Sequence, residues 1–290
     1  MEINRLLQKG IDLIKDRPYT NPSLEATLLL SRLLKVDKIY IYTHGKEKVS
    51  EPVVEKFLEL IEKRAKGYPI QYIINEKEFM GLDFYVEEGV LIPRSDTEIL
   101  VDYVLGYIDN KYKNKSINLL DLGFGSGAIA LSVAYYRSSV TVYGVDMYDA
   151  PIRVAEINKE RFKLTNVHLF KGDLFQGIKD VKEKFHIIAS NPPYIPSDDI
   201  DKLQDEIKYY EPREALDGGS DGLNFYRRII PESKKYLTDE GLLIFEIGYD
   251  QGQSVKNMLL VEGFVNVNIL KDLQGLDRVV LGVFKKELNI

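Results

Sequence analysis

From the first residues the apolar positions fall at helical spacing. In MEINRLLQKGIDLIK, Leu6, Leu7, Ile11 and Ile14 lie three and four apart with charges between them, which predicts an amphipathic helix. Leu24, Leu28, Leu29, Leu33 and Leu34 continue the spacing and are expected to form a buried helical face. Asn21-Pro22-Ser23 ahead of them reads as a helix start with proline in the first turn. Pro52 to Lys66 repeats the pattern with Val53, Phe57, Leu60 and Ile61. The rhythm changes at residues 70–92, where β-branched and aromatic residues with Gly81 and Gly89 predict a short hairpin between two domains.

Beyond residue 96 strands and helices alternate. Strands are expected at Ile117–Asp121, Val140–Asp146, Val167–Phe170, Phe185–Ser190, Leu242–Ile247, Val265–Leu270 and Arg278–Phe284. Helices are expected at Ala128–Arg137, Ala150–Lys163, Leu223–Tyr236 and Gln251–Val261. This alternation implies an α/β domain with a mostly parallel sheet covered on both faces. The last two strands are joined by Lys271–Asp277, too short for a crossover helix, so they should pair antiparallel.

Composition narrows the chemistry. Of 290 residues 44% are hydrophobic, enough for a sizeable core. The net charge of −6 argues against gripping nucleic acid by bulk electrostatics, which needs many Lys and Arg contacts to phosphate. Cysteine is absent, which removes disulfides, thiolate metal sites and thiol nucleophiles. The histidines are His44, His168 and His186, none in a recognisable catalytic context. The longest apolar run, Ala128 to Tyr136, falls far short of a membrane span. No signal peptide is read at the start, so the protein is expected to be cytoplasmic.

The first expected strand runs into DLGFGSGAIA, Asp121 to Ala130. Gly123, Gly125 and Gly127 permit a tight turn and close ligand approach, and the following helix offers free N–H groups. The spacing is G-x-G-x-G, with Phe124 and Ser126 between, rather than the dinucleotide G-x-G-x-x-G. Asp146, ending the second strand, can accept both hydroxyls of a ribose. Asp173, after the third strand, is placed to meet an adenine amino group, with Leu174 beside it. Loops at the carboxyl ends of strands are where open α/β sheets bind ligands. This arrangement resembles the class I S-adenosylmethionine-dependent methyltransferases.

Strand four gives way to Asn191-Pro192-Pro193-Tyr194. Two prolines fix φ and remove two N–H donors, and Asn191 is restrained by the proline after it. The Asn191 side-chain oxygen and the Pro192 carbonyl then form a rigid acceptor pair, with Tyr194 as an aromatic wall. Two fixed acceptors suit a planar NH2 group, holding both N–H bonds and aiming nitrogen at a sulfonium methyl. The tetrapeptide resembles that of amino methyltransferases acting on adenine N6, cytosine N4 or the glutamine amide.

Longer segments extend the resemblance: PIQYIINEKEFMGLDFYVEEGVLIPRSDTE (69–98), SNPPYIP (190–196), EPREALDGGSDGLNFYRRII (211–230), IFEIGYDQ (244–251) and KDLQGLDRVV (271–280). Together they look like the bacterial release factor glutamine methyltransferases, over about residues 65–285. The resemblance implies a helical substrate-docking domain (1–70), a β-hairpin linker (71–95) and a seven-stranded, Rossmann-like methyltransferase domain (96–290). It implies S-adenosylmethionine as methyl donor, S-adenosylhomocysteine as product, and methylation of N5 of the glutamine in the Gly-Gly-Gln motif of class 1 peptide chain release factors. The release factor is the expected partner, with no direct nucleic acid or membrane contact, and the chain is expected to be a monomer.

Carried over by position, Gly123, Phe124, Gly125, Ser126 and Gly127 line the methionine part of the cofactor. Asp146 takes the ribose, and Asp173 with Leu174 the adenine. Asn191, Pro192, Pro193 and Tyr194 take the substrate amide, with Asn191 also beside the cofactor and Asn191, Pro192 and Tyr194 expected to be catalytic. Glu211 to Gly219 would form a wall or lid, and Arg94 would lie near the cofactor. Departures are Phe124 where the family carries Thr or Cys, Ser95-Asp96 within Ile92–Glu98, Tyr148 for a serine and Pro151 for an alanine. Alternatives are a ribosomal-protein glutamine methyltransferase, a DNA adenine methyltransferase and a non-enzymatic module that keeps the pocket.

Overall fold

The computed structural model describes residues 1–18, 20–113 and 115–286. The chain divides into two compact units. One comprises Met1–Glu76 with Gln204–Tyr210, and the other Lys77–Leu203 with Glu211–Ile290.

The first unit is helical: α1 (Ile3–Ile14), α2 (Pro22–Leu34), α3 (Lys38–Thr43), α4 (Glu51–Ala65), α5 (Ile70–Ile74), and from the returning segment α9 (Asp205–Tyr210). As expected, α2 begins at Pro22, and the Asn21 side chain accepts from the Leu24 N–H at 3.1 Å. Its buried face differs from the leucine pattern. Leu24 is exposed, whereas Glu25, Ala26, Leu29 and Leu30 are buried. The rotation follows from a buried ion pair: Arg64 of α4, 1% exposed, donates to Glu25 at 2.6 and 3.2 Å, and also reaches Glu206 at 2.7 Å. Satisfying that guanidinium outweighs burying one more leucine edge. Residues 70–74 form α5 rather than a strand. The hairpin is therefore shorter than expected, β1 (Lys77–Phe79) paired antiparallel with β2 (Leu82–Phe84).

The second unit adds to that hairpin α6 (Thr97–Lys111), β3 (Ile117–Leu122), α7 (Ala128–Tyr136), β4 (Val140–Asp146), α8 (Asp149–Arg161), β5 (Val167–Lys171), β6 (Phe185–Ser190), α10 (Asn224–Ser233), β7 (Leu237–Glu246), α11 (Gly252–Val261), β8 (Val265–Lys271) and β9 (Asp277–Val283). The seven-stranded sheet has the order β5-β4-β3-β6-β7-β9-β8. Adjacent strands from β5 to β7 are parallel, and β9 lies antiparallel to both β7 and β8. The strand order reverses at β3, and β3 and β6 are hydrogen-bonded neighbours. Ligands bind at such switch points. Two apolar clusters form the core, one built around Leu119, Ala130, Val142 and Leu242, the other around Leu122, Phe185, Tyr226 and Phe245.

One strand is longer than the sequence suggests. The sequence places this strand at Leu242, after the polar stretch Thr238-Asp239-Glu240-Gly241. Here β7 runs through it from Leu237 as a bulge. Leu237 pairs with Phe185 and Leu242 with Ile187, so extra residues loop out while Glu240 adopts φ +58°. No described helix is long and apolar enough to cross a membrane.

Candidate functional site

A cavity of about 400 Å³ opens at the carboxyl ends of β3, β4, β5 and β6. Its floor is the turn after β3. Gly123 and Gly125 have φ of +72° and +57°, and a Cβ at either would meet nothing within 4 Å. The side-chain space they forgo is open to a ligand. Gly127 at the start of α7 does not line the cavity. Its φ is +86°, and a Cβ there would strike Leu131. Phe124 does not obstruct the turn. Its ring is 4% exposed and lies over Gly144 of β4, where a Cβ would approach it to 2.8 Å. The large ring is matched by a missing side chain on the neighbouring strand.

Asp146, 8% exposed, lines the same cavity. Its carboxylate accepts from the Gly125 N–H at 3.0 Å and the Tyr148 N–H at 3.2 Å. Burial raises its pKa, and the backbone hydrogen bonds oppose that shift. Beneath it Asp121 is fully buried. One oxygen accepts from the Ala130 N–H at 3.0 Å and the other has no partner. Burial pushes Asp121 up to about 7, with the Asp146 charge adding to the shift. Leu174 lines the cavity with φ +49°, a strained conformation for a leucine. Asp173 also lines it, and accepts from Arg228 at 2.6 Å.

Asn191 and Pro193 line the cavity from the β6 side. Pro192 is buried and does not. Tyr194 corrects the expected aromatic wall. It is absent from the cavity lining, and its hydroxyl lies 3.4 Å from Glu246 Oε1 at the end of β7. Burial raises the Tyr194 pKa, and the Glu246 charge adds to it. The tyrosine therefore holds the turn down from behind. Arg94 likewise turns from the cavity, donating to both oxygens of buried Glu211 at 2.6 and 2.7 Å. Of the expected wall, Pro212, Glu214 and Ala215 reach the cavity. None of the three histidines lines it; His186, for one, accepts from the Asn118 N–H at 3.1 Å.

The proline turn is held by groups to which the sequence reading gave no role. Gln251 Nε2 donates to the Tyr194 carbonyl at 2.9 Å, and Gln251 Oε1 accepts from the Gly248 N–H at 3.0 Å. The Asp217–Gly222 segment packs on the same backbone: a Cβ on Gly218 would lie 2.8 Å from the Pro193 carbonyl, and one on Gly222 would run into the Tyr194 carbonyl. Buried Asn158 joins α8 to the glycine turn and the hairpin exit through bonds to Ser126 and Tyr85. Thr97 lines the cavity and accepts from Asn191 Nδ2 at 3.4 Å. Glu246 and Gln251 stand in IFEIGYDQ, and Thr97 in IPRSDTE, but those segments carry no spacing that would assign a role.

Comparison with known proteins agrees with this architecture. Residues 5–74 match a family described as the PrmC N-terminal domain, and residues 113–258 a methyltransferase domain. The chain is 45% identical over 285 residues to a release factor glutamine methyltransferase of Clostridium acetobutylicum, covering 98% of this chain and 99% of that one. It is 43% identical to a protein of the same name from Thermodesulfovibrio yellowstonii, over 94% and 97% of the two chains. A methyltransferase crystal structure from Pyrococcus furiosus, 17% identical, shares the fold with a TM-score of 0.51 over 80% of this chain and 99% of that one. With an α/β sheet of this order and near full-length identity to those relatives, the chain belongs to the release factor glutamine methyltransferase family.

Proposed function

We propose that this methyltransferase uses S-adenosylmethionine to methylate the side-chain amide nitrogen of the glutamine in the Gly-Gly-Gln motif of class 1 peptide chain release factors, in the cytoplasm. The observation that carries the reading is that Asn191 and Pro193 line the same cavity as Gly123, Gly125, Asp146 and Leu174. The volume of about 400 Å³ falls in the range of small-molecule sites.

The residues fit the methyl donor. Gly123 and Gly125 leave room beside the backbone for its methionine portion, lined also by Phe124 and Ser126. Gly127 starts α7 behind the turn. Asp146, buried at the cavity, would accept from the ribose hydroxyls, and Asp173 and Leu174, which line the same cavity, would take the adenine. When bound, the cofactor supplies an electrophilic methyl carbon on a sulfonium.

The protein's part is to present the amide. A glutamine amide is planar and its nitrogen lone pair is delocalised. The Asn191 side-chain oxygen, at the cavity wall, accepts one of its N–H bonds; the Pro192 carbonyl, the second acceptor expected from the sequence, belongs to a residue set behind that wall. As nitrogen gains positive character, these acceptors favour the change without reorganising. The prolines keep the acceptors from swinging away, and Tyr194 and Gln251 hold the turn in place.

Mass spectrometry after incubation with methyl-labelled cofactor tests the assignment. Release factor should gain one methyl on the Gly-Gly-Gln glutamine, and a Gln→Ala release factor none. Label on a ribosomal protein or on DNA, with the release factor unmodified, would overturn it.

A further inference from the structure

Asn191 can serve as an acceptor only if its amide is turned the right way. The carboxamide has an acceptor end and a donor end of nearly the same shape, and the proline after it restrains the backbone without choosing between them. The choice falls to whatever meets the other end. Here Asn191 Nδ2 meets Thr97 Oγ1 at 3.4 Å. Thr97 is buried at the start of α6, and its hydroxyl has one proton to give. Behind it lies the Glu246 carboxyl, 1% exposed, whose ionised form the Thr97 hydroxyl favours. Glu246 Oε1 also faces the Tyr194 hydroxyl at 3.4 Å, and Oε2 is buried without a hydrogen-bond partner. A buried carboxylate oxygen left unpaired is uncommon and asks for a reason.

We propose that Thr97 and Glu246 are positioning residues that set the orientation of the Asn191 amide: Glu246 takes the Thr97 proton, the Thr97 lone pair takes Asn191 Nδ2, and Asn191 Oδ1 is left to face the cavity. The inference rests on the proposed role of Asn191 as an acceptor for the substrate amide. Direction is what the relay contributes. With the Thr97 proton committed to Glu246, the hydroxyl can only accept from Asn191. If Glu246 carries a proton, it can donate to Thr97 instead. The Thr97 proton is then free to meet Asn191 Oδ1, and the flipped amide would point NH2 at the substrate.

The groups facing Glu246 come from four elements. Arg278 lies on β9, Asp96 and Thr97 at the start of α6, Tyr194 after β6, and Tyr226 on α10, where its hydroxyl donates to the Glu246 carbonyl at 2.9 Å. Burial pushes the Glu246 carboxyl up to about 7, Asp96 adds to the rise, and Thr97, Arg278 and Tyr194 oppose it. The ionised form that the relay needs is therefore gained as pH rises through neutrality.

Thr97→Val keeps the shape of the side chain and removes its hydroxyl. It should lower kcat about 100-fold, with cofactor affinity by calorimetry and KM for release factor within about threefold. Thr97→Ser should recover most of the loss. Glu246→Gln should lower kcat and flatten its rise between pH 6 and 8. Thermal melts of all three establish that the variants are folded. The readout independent of turnover is the Asn191 side-chain amide signal in NMR, identified by its absence in Asn191→Ala. It should be slow to exchange with solvent in the wild type and fast in Thr97→Val. If Asn191→Ala is inactive while Thr97→Val retains wild-type kcat and a slow-exchanging Asn191 amide, the relay is wrong and the acceptor role of Asn191 stands. If Asn191→Ala itself turns over normally, the proposed function fails first.

Discussion

Along the carboxyl edge of the sheet, the part at β3 and β4 and the part at β6 and β7 are built from different materials. The first comes from one short stretch of chain. Its glycines give up side chains, the Gly123 N–H donates to the Val145 carbonyl, and Asp146 closes the turn by accepting from Gly125. The second is assembled from distant pieces. Thr97, Gly222, and Glu246 with Gln251 come from three separate segments and converge on the one four-residue turn that carries Asn191. A pocket that must admit a common cofactor can be made from backbone. A clamp that must aim one nitrogen needs side chains fixed by other side chains.

The widest separation of the two parts is expected at Asn191. Asn191→Ala should lower kcat by about 100- to 1000-fold, the range seen when one preorganised polar contact is removed from a reacting centre. Cofactor affinity by calorimetry should hardly change. A matching loss of affinity would mean that the two parts are one site energetically, and the contrast would dissolve.

Asp146→Ala should show the opposite profile. Charge-assisted hydrogen bonds to the ribose are worth about 1.5–3 kcal/mol. Cofactor binding should weaken roughly 10- to 100-fold, while kcat at saturating cofactor stays near wild type. Unchanged affinity would remove the ribose from Asp146.

This division also explains what could be read from the residues alone. The strand order, the antiparallel β9, the glycine turn and the Asn-Pro-Pro-Tyr turn are local patterns, and their positions agree with the described fold, whereas helices α6 and α9 are not expected from the sequence. What could not be read depends on contacts between distant residues. The buried face of α2 is turned by Arg64, which lies in another helix. Strand β7 starts early because a bulge takes in the polar stretch from Thr238 to Gly241. Tyr194 leaves the cavity because Glu246 lies behind it, and Phe124 fits because Gly144 on the neighbouring strand has no side chain. No spacing rule along the chain contains these pairs.

Gly222 tests the support of the proline turn without touching the cavity. Its φ of +72° is disfavoured for any residue with a Cβ, and that atom would meet the Tyr194 carbonyl. The left-handed conformation alone costs about 1–2 kcal/mol. Gly222→Ala should lower Tm by a few degrees and kcat about tenfold, with cofactor affinity unchanged. A variant that loses stability but keeps kcat would show that the turn needs no brace from this segment.

The smallest effect lies on the cofactor side and is read in stability. Asp121 is fully buried, and burial pushes it up to about 7 from its ordinary value of 3.8. Between those two values the folded protein keeps a proton that the unfolded chain has lost. Stability therefore falls as pH rises through that window, and the loss is complete above about 7. Asp121→Asn removes this titration and can still accept from the Ala130 N–H. Urea melts should show the variant gaining on the wild type by about 1 kcal/mol between pH 6 and 8, with the gap levelling off above pH 7. The same comparison for Glu246→Gln should give a gain of the same sign, because burial pushes Glu246 to about 7 as well. The two parts would then share one electrostatic burden, a carboxyl buried at the end of a strand, while using it differently. Asp121 holds the first turn of α7 through Ala130, and Glu246 sits behind the turn that presents Asn191. A stability gap that stays constant with pH in either variant would show that the carboxyl is already ionised throughout, and that its neighbours supply more compensation than burial removes.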